Sequence, residues 1–117
     1  MIIAVAGPYS APTEEERAKN LERMNRAAAR LLEMGHVPLI GMNAALPVLE
    51  FANVEDRYKA VMDISLATVA NADAILLLAE SPGANKERDL LISQGKKVYT
   101  SIEEIVAEKQ EVDNDRA

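Results

Sequence analysis

The segment Ser81-Pro82-Gly83-Ala84-Asn85-Lys86-Glu87 concentrates residue types that can do chemistry. Ser81 supplies a hydroxyl, Gly83 an open backbone and Asn85 an amide. All three stand beside an expected helix N-terminus, where free N–H groups favour negative charge. That set suits an anion cradle. Gly7-Pro8-Tyr9 is a second candidate turn, because Gly7 removes a side chain where backbone must approach a ligand. Each residue also has a plain structural role. Gly7 and Gly83 can simply make turns, Ser81 can cap a helix with Pro82 in its first position, and the helix dipole stabilises Glu87 whether or not it reacts. Asp63 stands among Val61, Met62 and Ile64, where an acid is a poor helix former unless it is solvated or faces a cleft.

The elements that must position these residues follow from periodicity. Residues 2–6 (Ile-Ile-Ala-Val-Ala) form a short apolar run stopped by Gly7-Pro8, which reads as a buried strand. Thr13 followed by Glu14, Glu15 and Glu16 is a capping-box signature, and Leu21, Met24, Ala28, Leu31 and Leu32 recur at helical spacing, giving a helix over 14–34. Gly35 stops it, and 37–40 is a second strand whose Pro38 favours a sheet edge. Residues 41–54 have no clean period beyond an apolar turn around 44–50, and such stretches often border a site. A helix is expected over 55–71, a central strand over 74–79, a helix over 84–94 and a last strand over 97–99. Ser101 with Glu104 opens a terminal helix, and from 111 to 117 a polar tail is expected to fray.

Strands alternating with helices imply a three-layer α/β domain over residues 1–110, of flavodoxin-like or Rossmann-like kind. Its parallel sheet should have four or five strands in the order 2-1-3-4. In such a sheet the crevice opens at the carboxyl ends of the two strands where the crossovers diverge. Here those are the first and third strands. The loops leaving them carry Gly7-Pro8-Tyr9 and Ser81 to Asn85, so topology and residue chemistry agree on the location.

Composition narrows the partners. The chain has 117 residues, enough for one domain, and a formal net charge of -6, which argues against a nucleic-acid polymer that would need clustered Lys and Arg. A small anion remains compatible, since a helix N-terminus can hold one inside an acidic protein. Aromatic content of 3% removes the stacking platforms of single-strand binders. Cysteine is absent, which excludes disulfides and thiolate chemistry, and the single histidine, His36, reads as a turn or strand-edge residue. No metal site and no cofactor is expected. No run reaches the roughly 18 to 20 apolar residues of a membrane span, and no signal region opens the chain, so a cytoplasmic location without membrane contact is the expectation.

Taken in order, AGPYS at 6–10, GHVPLI at 35–40, Asp63 ahead of the strand that opens on Asp73-Ala74, and SPGANKE at 81–87 resemble the nucleoside 2-deoxyribosyltransferase-like superfamily over roughly residues 1–100. The resemblance implies cleavage or transfer at the N-glycosidic bond of a nucleoside or nucleoside 5′-monophosphate. Glu87 matches the nucleophile and Asp63 the partner acid. Ser81, Gly83 and Asn85 match the loop that holds a 5′-phosphate in the monophosphate-cleaving branch, and Gly7, Pro8 and Tyr9 the turn lining sugar and base. Family enzymes commonly carry a tyrosine inside the first strand, where this chain has Ala4 and offers Tyr9 in the following turn. Relatives assemble as homodimers or larger, and residues 44–52 are the candidate contact. The alternative from another class is a catalytically silent nucleotide-binding or sensor module on the same fold.

Overall fold

The computed structural model describes residues 1–116. Its elements run β1 (Ile2–Ala6), α1 (Glu14–Glu33), β2 (Val37–Leu39), α2 (Gly41–Leu49), α3 (Arg57–Val69), β3 (Ala74–Leu77), α4 (Pro82–Ser93), β4 (Lys97–Tyr99) and α5 (Ile102–Arg116). The four strands are parallel in the order β2-β1-β3-β4, as expected from the sequence, with Ala4 opposite both Leu39 and Ile75.

Alternation along β1 and β3 divides the core in two. Ile3, Val5, Ala74 and Leu76 face the layer holding Met24, Ala28 and Leu31 of α1 and Ile105 of α5. Ala4, Ala6, Ile75 and Leu77 face the layer holding Val69 of α3 with Ala84 and Leu91 of α4. Because helices cover both faces, the central strands need no polar positions, which is why they appear in the sequence as unbroken apolar runs. Asp73, the acid of the strand motif, ties the amino-terminal edge together: its backbone N–H donates to the Ile2 carbonyl at 2.7 Å, and its Oδ2 accepts from the Ile2 N–H at 2.7 Å.

Local caps set the helix starts. Thr13 Oγ1 accepts from the Glu16 N–H at 3.1 Å, Asp56 Oδ1 from the Lys59 N–H at 3.0 Å and Ser81 Oγ from the Ala84 N–H at 3.1 Å. The Asp56 cap moves the start of α3 to Arg57, and the Ser81 cap starts α4 at Pro82, two residues before the expected 84. The aperiodic stretch after β2 proves to be a full helix, α2, despite Gly41, Asn43 and an internal Pro47. Burial of Ala45 and Leu49 overrides the poor propensity of those residues. At the other end, α5 remains helical through Arg116, past the point at Glu111 where a frayed tail was expected. Ala117 lies outside the described residues. Among the described residues no helix is long and apolar enough to cross a membrane.

Candidate functional site

The crossover β1-α1-β2 leaves the sheet in one direction and β3-α4-β4 in the other, so the carboxyl ends of β1 and β3 bound a crevice. A cleft of about 730 Å³ occupies it. Its walls are the Gly7 to Ala11 loop, the starts of α2 and α3, and the first turns of α4. The β1 loop is pinned to α1: Arg17 Nη1 donates to the Ala11 carbonyl at 2.8 Å, and Asn20 Nδ2 to the Tyr9 carbonyl at 2.9 Å.

Gly7, Pro8, Tyr9, Ser81, Gly83 and Glu87, all singled out in the sequence, line this one cleft. Glu87 is 7% exposed. Burial pushes its carboxyl up to about 7 from the ordinary 4.5. No basic side chain stands within ion-pairing distance of it among the described residues. An isolated carboxyl group in an apolar-walled cleft holds its proton more tightly because the charged form has lost its water.

Two expected site residues fall outside. Asp63 does not line the cleft; its side chain is 62% exposed and its Oδ2 lies 2.8 Å from Lys59 Nζ one helical turn back. The cause is helical geometry. The inward positions of α3 are Met62, Ser65 and Val69, and Asp63 is rotated about 100° from Met62. The proposed Glu87–Asp63 pair is therefore not formed. Asn85 likewise misses the cleft, because α4 presents Gly83, Ala84 and Glu87 inward while Asn85 Oδ1 accepts from Arg88 Nη1 at 3.3 Å. Ala4 is fully buried in the core layer against α3 and α4 and does not line the cleft, and Val5 is the β1 side chain that reaches it. His36 lies at the amino-terminal edge of the sheet, with Nδ1 3.1 Å from the Met1 amino group.

Sequence reasoning missed Arg17, Gly41, Arg57, Tyr58 and Ser65, all of which line the cleft. Arg57 Nη1 donates to the Leu49 carbonyl at 3.3 Å, and neither arginine has a carboxylate partner among the described residues. The cleft of this acidic chain thus holds two guanidinium groups against one carboxyl group that is only partly ionised near neutrality. Gly41 is required by close approach, since a Cβ there would meet Glu87 Oε1 at 2.6 Å, Ser65 Cβ at 2.6 Å and Ser65 Cα at 2.8 Å. One signal pointed to it: Gly41 follows a parallel strand at its carboxyl end, the same rule that located Gly7. Among the described residues no group of three or more His, Asp or Glu side chains could hold a metal ion.

Fold and cleft together define an open-sheet α/β protein with a crevice at its topological switch point. Residues 1–100 match the family described as "Domain of unknown function (DUF4406)", and the chain belongs to that family. No curated protein matches the chain.

Proposed function

We propose that the chain cleaves or transfers the N-glycosidic bond of a nucleoside or nucleoside 5′-monophosphate, with Glu87 as nucleophile. The observation that carries this reading is the isolation of Glu87 as the buried carboxyl group of a cleft whose walls are otherwise apolar side chains, backbone, hydroxyls, two tyrosines and two guanidinium groups. An ionised carboxylate there bonds to the anomeric carbon through one oxygen. The C1′–N bond breaks, its electron pair goes to the base, and the base takes a proton from water in the open cleft. Water, or an acceptor base in the transfer reaction, then attacks C1′, gives its proton to the hydroxide left by the first step and returns the carboxylate.

The arginines support an anionic substrate. Arg17, Arg57 and the N-terminus of α4 offer a 5′-phosphate charge-assisted donors and a favourable dipole. A second copy of the chain is proposed to border the same cleft, because Val48 is 55% and Phe51 90% exposed on either side of Leu49, whose carbonyl accepts from the cleft residue Arg57.

Incubation with a panel of nucleosides and 5′-monophosphates, read by chromatography for free base, tests the chemistry. Base release that Glu87→Gln abolishes is the expected result. Tight nucleotide binding without release in the wild type would instead establish the silent binding module.

A further inference from the structure

Ser65 is 2% exposed, lines the cleft, and leaves its Oγ without a hydrogen-bond partner. On the same helix Thr68 donates its hydroxyl to the Ile64 carbonyl at 2.7 Å, the usual use of such a group, which Ser65 does not make. Buried hydroxyls are almost always paired, so one left open in a cleft marks a place where a ligand completes the bond.

A second set of unsatisfied donors adjoins it. Helix α2 begins at Gly41 with no side-chain cap and no acid in its first turn; the Asn43 N–H already donates to the Ile40 carbonyl at 3.1 Å, which leaves the N–H groups of Gly41 and Met42 without intrahelical partners. The Cβ position of Gly41 lies 2.6 Å from both Ser65 Cβ and Glu87 Oε1. Hydroxyl, helix start and Glu87 carboxyl therefore share one corner of the cleft.

The next step rests on the glycosidic reading, in that it takes the Glu87 carboxyl to face the anomeric carbon. C2′ is bonded directly to that carbon, so its hydroxyl oxygen, two bonds from the reacting centre, falls in the same corner. We propose that Ser65, with the free N–H groups opening α2, forms the subsite for the 2′-hydroxyl, so that the cleft takes ribosyl in preference to 2′-deoxyribosyl ligands. A 2′-hydroxyl can accept from the N–H groups while exchanging a hydrogen bond with Ser65 Oγ. A 2′-deoxy ligand leaves the hydroxyl buried and unpaired while displacing any water that served it. A site built around a hydroxyl discriminates against the analogue lacking it for this reason.

The test compares ribonucleoside, 2′-deoxy and 3′-deoxy 5′-monophosphates of each base in the wild type and in Ser65→Ala. Wild-type kcat/KM for base release should favour the ribo form over the 2′-deoxy form by about 10- to 100-fold. Ser65→Ala should bring that ratio close to one and leave the ribo to 3′-deoxy ratio unchanged. If base is released but the wild type shows no ribo preference, or Ser65→Ala preserves it, the subsite is wrong and the glycosidic reading survives. If no nucleotide releases base, the glycosidic reading fails. Calorimetric dissociation constants then carry the same comparison: a ribo preference lost in Ser65→Ala upholds the subsite, and its absence, or no binding at all, overturns it. The Tm of Ser65→Ala should equal or exceed that of the wild type, because an unpaired hydroxyl is removed. A marked fall would show that the hydroxyl is already paired in the free protein and would overturn the proposal.

Discussion

Replacing Glu87 by glutamine keeps the side-chain volume but removes a proton equilibrium, so the stabilities of the two proteins should diverge with pH. The buried carboxyl titrates at about 7, against 4.5 for an unperturbed glutamate. Below that window both folded and unfolded chains are protonated at this group and its burial carries no ionisation penalty. As pH rises through the window, ionisation lowers the free energy of the unfolded chain while the folded protein keeps its proton. The wild type then loses about 1.4 kcal/mol of stability per pH unit until the folded group also ionises. Glutamine has no such slope. The stability of Glu87→Gln relative to wild type should therefore grow by about 2.5 kcal/mol between pH 5 and pH 8. For a domain of this size that corresponds to about 10 °C in Tm. Any cost of leaving the amide short of hydrogen bonds does not depend on pH and cancels from the comparison. Urea unfolding followed by circular dichroism at several pH values measures it. A difference that stays flat across the range would show that Glu87 is solvated or paired with a cation in the folded protein, and would refute the burial argument and with it the isolation of the proposed nucleophile.

Other perturbations test the same arrangement. If Glu87 acts as an ionised nucleophile, kcat/KM for base release should rise with pH through an apparent pKa of about 7, and a profile flat from pH 5 to 8 would exclude that role. Asp63→Asn should change stability by less than about 0.5 kcal/mol in urea unfolding, because its partner Lys59 is an exposed neighbour one turn away, and should leave base release near the wild-type rate. Gly41→Ala forces a Cβ against the Ser65 backbone and Glu87 Oε1 and should cost about 1–3 kcal/mol by the same unfolding assay. Arg57→Ala should weaken binding of 5′-monophosphates more than of the corresponding nucleosides, a difference that calorimetry should find shrinking as salt is raised. Phe51→Glu should lower the assembly state seen by sedimentation if a second copy covers the Val48–Phe51 surface.

Much of this protein was legible in its sequence because the relevant forces act locally. The apolar run 2–6 and the run opening at 74 read as strands covered on both faces, the second ending at Leu77 rather than at 79. Thr13 and Ser81 carry their capping roles in their identities and spacing, and the alternation of elements yields the 2-1-3-4 sheet and the crevice between β1 and β3. That placed Gly7, Tyr9, Ser81, Gly83 and Glu87 around one opening. What the sequence could not supply was the rotation of each helix about its own axis. A step of one residue turns a side chain by about 100°, so Asp63 and Ser65, two positions apart on α3, fall on opposite sides of the cleft wall, and Asn85 turns away while Ala84 faces in. Rotation is decided by which side chains can be buried against the sheet, here Met62, Ser65 and Val69. For the same reason only the middle of α2 showed as an apolar turn, since Gly41, Asn43 and Pro47 are poor helix formers and the full helix depends on the burial of Ala45 and Leu49. Tertiary packing alone brought the Gly41 backbone, the Ser65 hydroxyl and the Glu87 carboxyl into one corner, and the raised pKa of that carboxyl follows from burial that no local pattern encodes.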